Sequence, residues 1–256
     1  DGQNVRGGIT KDCAIARIDH FNVINSVSFG GIRNCGDLTI TNSSIHHNAT
    51  SDPYDGGGGI TSTSGIVTLN NVTVSNNTAS HYGGGIYISD GILSLNNSTI
   101  SNNLASYSGG GIYVYSSFFV TASASVFLKN SILAENIANA GPDCYVETSK
   151  PIISYGYNLI GDNSGCGFVP TLGDQVGTAN NPIHPRFTPL QDNGGSTYTH
   201  ALMTGSVAIN AGSPAAPGSG SNTCLSADQR GVARPVGGRC DIGAYEYTIP
   251  GNVSSL

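Results

Sequence analysis

Residues 83–103 read Gly83-Gly84-Gly85-Ile86-Tyr87-Ile88-Ser89-Asp90-Gly91-Ile92-Leu93-Ser94-Leu95-Asn96-Asn97-Ser98-Thr99-Ile100-Ser101-Asn102-Asn103. The apolar side chains alternate with others at Ile86/Ile88 and at Leu93/Leu95, which is the period of a strand and not of a helix. Each run stops at Gly-Gly-Gly or Asn-Asn, residues that accept left-handed backbone at little cost, so the chain is expected to turn there. The same text recurs on both sides. Ile32, Ile60, Ile86 and Ile112 each follow a glycine run and stand 28, 26 and 26 residues apart, and the companion runs begin at Leu38, Val67 and Leu93. A repeat of this length made of three short strands and three corners is one coil of a solenoid. One coil cannot bury its inward face alone, and stacked coils share a continuous core. The expected fold class is all-β: a right-handed, single-stranded parallel β-helix with coils about 4.8 Å apart.

Stacking turns equivalent residues into columns. Asn42, Asn71, Asn97 and Asn130 occupy one repeat position, and Asn48, Asn77, Asn103 and Asn136 another. Both sets are expected to form structural ladders, each carboxamide donating to the next and satisfying groups the stack would otherwise bury unpaired. Asn42, Asn48, Asn71, Asn76, Asn96, Asn97 and Asn252 also sit in Asn-x-Ser/Thr sequons, which in so Ser- and Asn-rich a repeat arise from composition.

The repeat breaks after Tyr115, where about seven extra residues lie between Ser116 and Phe127, and it resumes at Asn130. From Pro142 to Pro217 the chain carries eight of its 11 prolines. The organisation read from this is coils over 1–140, a continuation of the helix with an irregular cap over 141–247, and a linker stub over 248–256. A solenoid end exposes apolar surface and unpaired strand edges, which a cap would cover.

Six cysteines form an even set without a Cys-x-x-Cys pair, so zinc is not expected. Their order suggests Cys13 with Cys35, Cys144 with Cys166 and Cys224 with Cys240, although six cysteines allow about 15 connectivities. Disulfides would place the chain in an oxidising compartment, the cell surface or the medium. The net charge is -6, and no Lys or Arg occurs between Arg33 and Lys129, so nothing there can neutralise a phosphate backbone and nucleic acid is not an expected partner. No apolar run is long enough for a membrane-spanning helix.

The Gly-Gly-Gly-Ile-Tyr and Ser-Thr-Ile-Ser-Asn-Asn units are similar to the repeats of chlamydial polymorphic outer membrane proteins and of other bacterial surface proteins. Farther on, Gly-Pro-Asp-Cys at 141–144, Gly-Tyr-Asn-Leu-Ile-Gly-Asp at 156–162, Asp-Asn-Gly-Gly-Ser-Thr at 192–197, Asp-Gln-Arg-Gly at 228–231 and Cys-Asp-Ile-Gly-Ala-Tyr-Glu at 240–246 resemble the choice-of-anchor Q family of exported bacterial proteins. The resemblance implies a right-handed parallel β-helix displayed outside the cell, followed by an anchor or a further domain. It brings no catalytic residues.

The residues themselves offer little chemistry. A glycosidase needs paired carboxylates, and a lyase a metal-assisted base. Asp52 and Asp55 near His46 and His47 read as a solvated turn, and adjacent histidines on extended backbone would point to opposite faces. Asp228 with Arg230, and Asp241 with Glu246, read as charge pairs that fix the cap. No catalytic, cofactor or metal residues are therefore assigned. The expected function is a non-catalytic structural or adhesive module of the cell surface, in narrower form a filament or sheath component. Its expected partners are glycans, other surface proteins or further copies of itself. The alternative is a carbohydrate-active enzyme, lyase or glycosidase, working in a groove lined by Tyr82, Tyr87, Tyr107, Tyr113 and Tyr115.

Overall fold

The structure, a computed structural model, describes residues 3–10, 13–52, 56–115, 124–147, 152–220 and 222–248. Among them there is no helix, and the chain winds as a parallel β-solenoid of about five turns. The coil 60–79 shows the plan, with strands Ile60–Ser62, Ile66–Asn70, Thr73–Ser75 and Thr78–Ala79 laid along a first, second, third and fourth face. Each of these four strands pairs in parallel with its counterparts one coil before and one coil after. Ile32, Ile60, Ile86 and Ile112 are direct partners in sequence, and all four are buried. The extra residues at 116–123 lie outside the described part, and pairing resumes in register at Ser125 opposite Ile92.

Two features of the sequence make this stack. The inward positions hold branched aliphatics: Val67, Leu69 and Val74 in one coil sit over Leu93, Leu95 and Ile100 in the next, and all belong to one core. The glycine runs stand where coils approach most closely. A Cβ at Gly84 would lie 2.5 Å from the Gly110 carbonyl oxygen and 2.5 Å from the Leu104 carbonyl.

Stacking continues beyond residue 141. Cys144–Val146 pairs with Ile112–Val114, Ile153–Ser154 with Phe127 and Leu128, and Leu159–Ile160 with both Ile132–Leu133 and Gln175–Val176. The irregular segment that follows is tied by the Cys224–Cys240 disulfide. It does not sit across the end of the rod but runs back along the third face. The reason lies in that face's outward side chains. They are Ser44 and His46, Thr73 and Ser75, Thr99 and Ser101, all buried and too small or too polar to shield the strands by themselves. In the next coil the outward pair is Ile132 and Ala134, which form a second apolar cluster with Leu159, Leu202, Ala208 and Ile242. The Cys13–Cys35 and Cys144–Cys166 bridges each link residues on neighbouring coils.

Gly84→Ala should lower stability in urea unfolding by about 2 kcal/mol or more, because the new methyl meets backbone that cannot step aside. Gly238→Ala, whose Cβ would meet nothing within 4 Å, should stay within about 0.5 kcal/mol of the parent.

Candidate functional site

The interior polar groups come first, because they decide which side chains remain free for anything else. Asn48, Asn77 and Asn103 each donate a side-chain Nδ2–H to the Oδ1 of the next asparagine, at 3.0, 2.9 and 2.9 Å, and each backbone N–H donates to the same oxygen. The Nδ2 groups also reach the carbonyls of Val23, Ile45, Val74 and Ile100. The bonds to the neighbouring amide oxygens all run toward the next coil, while those to the carbonyls run back to the preceding one, so the last amide needs an acceptor ahead of it. Asp143 supplies it. Its Oδ1 accepts from the Asn136 side chain at 2.9 Å and from the Asn136 backbone at 3.1 Å, while its Oδ2 accepts from the Asp162 N–H. Burial pushes the Asp143 carboxyl up to about 6, against the pull of those donors.

A second inward column follows the same rule at another corner. The Val72 N–H donates to Ser98 Oγ, the Ser98 N–H to Ser131 Oγ and the Ser131 N–H to Asn158 Oδ1. Asn158 then donates twice to Asp174 Oδ1. Neither aspartate was singled out in the sequence. Asp143 was legible in principle, since Gly141-Pro142-Asp143-Cys144 replaces the Gly-Gly-Gly-Ile of earlier coils.

The column of Asn42, Asn71, Asn97 and Asn130 does something different. All four have left-handed backbone, with φ between 45 and 53° among Asn71, Asn97 and Asn130 and 47° at Asn42. Asn71 reaches Asn42 at 3.3 Å, but Asn97 and Asn130 accept the N–H groups of Leu225 and Ser213, and Asn71 also donates to the Ala227 carbonyl. A left-handed corner turns its side chain outward, so this column runs between coils only from Asn71 through Asn42 to Asp19, and from Asn71 onward it grips the C-terminal segment. Asn48, Asn71 and Asn97 are buried, so the folded chain does not present those sequons for glycan attachment.

That segment seals the third face. Thr197 Oγ donates to the Asn42 carbonyl, Thr73 Oγ to Gln229 Oε1, and the Ala244 N–H to Thr99 Oγ. His200 is buried between Ser75 Oγ, 2.8 Å from its Nε2, and the Thr188 carbonyl, 2.8 Å from its Nδ1. The carbonyl can only accept, which puts the proton on Nδ1 and makes the Ser75 hydroxyl the donor to Nε2. Burial holds His200 down at about 4, and His46, stacked on Tyr198, lies at about 4 for the same reason with the neighbouring His47 adding to it. A fully buried serine beside so weak a base is a fastening and not a nucleophile.

His46 and His47 do not diverge: His47 lies at a left-handed corner with φ 54°, not on extended backbone, and the two Nδ1 atoms are 2.7 Å apart. Among the described residues no His, Cys, Asp or Glu completes a metal-binding group with them. Asp52 lies 3.5 Å from Arg33, and Asp55 falls outside the described residues. Asp228 holds Arg230 at 2.8 Å, but Asp241 and Glu246 are not each other's partners, since both are acids. Glu246 pairs with the buried Arg234 at 2.8 Å, and Asp241 accepts the backbone N–H groups of Asn210 and Tyr247. Tyr87 and Tyr113 are buried on the first face with rings stacked 5.5 Å apart, and Tyr145 continues the stack, so no open aromatic floor exists at those positions.

A cleft of about 450 Å³ opens where the C-terminal segment meets the corner between the third and fourth faces. Asn76, Asn102 and Glu135 line one wall from the same position in three successive coils, and His184, Arg186 and Phe187 line the other. Glu135 and His184 pair at 2.9 Å. Glu135 is the single carboxylate among the lining residues, so the two-acid arrangement of a glycosidase is not assembled there.

Asn103→Ala should cost about 2–4 kcal/mol in chemical unfolding, because it orphans the Asn77 N–H and the Val74 carbonyl together. The buried histidines set a pH dependence. Above the unfolded value of 6.5 both states are neutral, and between 6.5 and about 4 only the unfolded chain takes up the proton, so stability falls as pH falls. Asp143 and Asp241, both raised to about 6 by burial, act in the opposite sense, which makes a difference between variants the cleaner readout. The stability gap between the parent and His200→Gln should narrow by about 3 kcal/mol from pH 7 to pH 4 in parallel urea titrations.

With this geometry in view, comparison with known proteins adds one match. A family model described as the Chlamydia polymorphic membrane protein repeat fits residues 71–89 and 97–115, each spanning the end of one coil and the start of the next. No curated protein and no solved structure matches the chain. The chain therefore carries repeats similar to those of chlamydial polymorphic membrane proteins on a parallel β-solenoid.

Proposed function

We propose that this chain is a non-catalytic module displayed on a cell surface or in the medium, with a structural or adhesive role. The observation that carries this reading is where the polar side chains are spent. The inward amides and hydroxyls are committed to coil stacking and the outward ones of the third face to docking the C-terminal segment, while the cleft holds one carboxylate. Three disulfides support an oxidising location, and the polymorphic membrane protein repeats support display at the surface. The choice-of-anchor Q likeness of the C-terminal motifs belongs to the same reading. A rod whose flanks carry long columns of Thr, Ser and Asn suits lateral contact with glycans, with other surface proteins or with further copies, as in a sheath.

Incubated with a panel of plant and bacterial polysaccharides, the purified chain should release neither reducing nor unsaturated sugars, and antibody should label intact cells that express it. Sugar release abolished by Glu135→Gln would establish the enzyme reading in its place.

A further inference from the structure

Two charged residues lining the cleft sit on backbone that their side chains disfavour. The first is Glu135. It stands in the corner position that Asn76 and Asn102 fill in the two preceding coils, and all three have left-handed backbone with φ of 64, 55 and 56°. Asn is among the few side chains that tolerate this conformation, and Glu is not, so a fold selected for stability alone would keep asparagine there. The second is Arg186, which faces this corner from the opposite wall and is also left-handed, with φ 52°. Strained non-glycine residues gather where a ligand is held, and here two of opposite charge line one cavity.

The free groups define what the cavity takes. Among the described residues the Asn76 amide and the Arg186 guanidinium have no hydrogen-bond partner, and Glu135 uses one oxygen on His184. Phe187, Pro189 and Leu190 supply apolar lining, and His200, whose ring nitrogens are both engaged, lines the cavity with them. Planar amide, carboxylate and guanidinium groups fit pairs of neighbouring hydroxyls, and the apolar lining fits the carbon face of a pyranose ring. Glu135 and Arg186 offset each other in charge, so an anionic or cationic ligand would gain at one and lose at the other. Asn76, Asn102 and Glu135 repeat at the coil spacing of about 4.8 Å, so an extended chain lying along the rod meets an equivalent group at each step.

The geometry points to this cleft as a binding site for a neutral oligosaccharide, with Glu135 accepting and Arg186 and Asn76 donating to its hydroxyls. The inference rests on the adhesive reading above and gives it an address. The site binds and does not hydrolyse, because a single carboxylate faces the cavity.

Calorimetric titration of the 256-residue chain with cellotetraose, maltotetraose and tetra-N-acetylchitotetraose, and with trigalacturonate as the charged comparison, tests it. A neutral tetrasaccharide should bind and trigalacturonate more weakly. Glu135→Asn and Arg186→Asn place a residue suited to left-handed backbone at each position, so the fold is not penalised. Each should weaken binding about tenfold or more, with a urea midpoint at or above that of the parent. Absence of binding by all three neutral probes, unchanged affinity in both variants, or a lower urea midpoint for Glu135→Asn would each overturn the assignment. Absence of tetrasaccharide binding together with surface labelling and no sugar release would remove the cleft and leave the structural module standing, whereas sugar release would remove the module reading itself.

Discussion

Vertical stacking of coils at the spacing of a hydrogen-bonded sheet is the constraint from which the rest of this molecule follows. It puts each residue directly over its counterpart, so a side chain is selected for what it does to a copy of itself one coil away. Branched aliphatics satisfy that demand by packing, as along Ile32, Ile60, Ile86 and Ile112. Glycine satisfies it by having nothing to clash, as at Gly84. Asparagine satisfies it because one side chain is both donor and acceptor and can hand a hydrogen bond onward without limit.

A chain of like donors has a direction, and a direction demands an end. The two inward columns reach theirs on Asp143 and Asp174, acceptors with no hydrogen to offer. The carboxylates that a search for catalysis would notice first are in this way consumed by termination. The same holds on the flank, where Asp228, Asp241 and Glu246 are tied to two arginines and to backbone N–H groups of the C-terminal segment. Charge is scarce in this protein, and most of what the described residues bury has a structural partner. Arg186 stands outside that accounting and Glu135 keeps one oxygen beyond its pair with His184, while both sit on strained backbone.

The columns were readable as columns, but not all for what they do. Asn48, Asn77, Asn103 and Asn136 form the continuous line that alignment of the repeats implied. Asn42, Asn71, Asn97 and Asn130 are equally regular in sequence, yet their left-handed backbone turns Asn97 and Asn130 toward Leu225 and Ser213, more than 80 residues away. Periodicity reports that a position is constrained and is silent about which neighbour constrains it. For the same reason the repeat does not disclose what Asn76, Asn102 and Glu135 share: their corner position differs by one residue from the ladder, and its meaning appears only once His184 and Arg186 are brought opposite.

From the amino-acid order alone came the strand period, the coil length, the corner residues and the core aliphatics. All of these are local, or repeat at one fixed interval, so a linear string carries them. Only the tertiary structure decided that the irregular C-terminal segment lies along a flank instead of over an end, that His46 and His200 are buried neutral beneath it, and that a cleft opens at Glu135. Those outcomes depend on a single, unrepeated contact between distant parts of the chain, for which no period exists to be read.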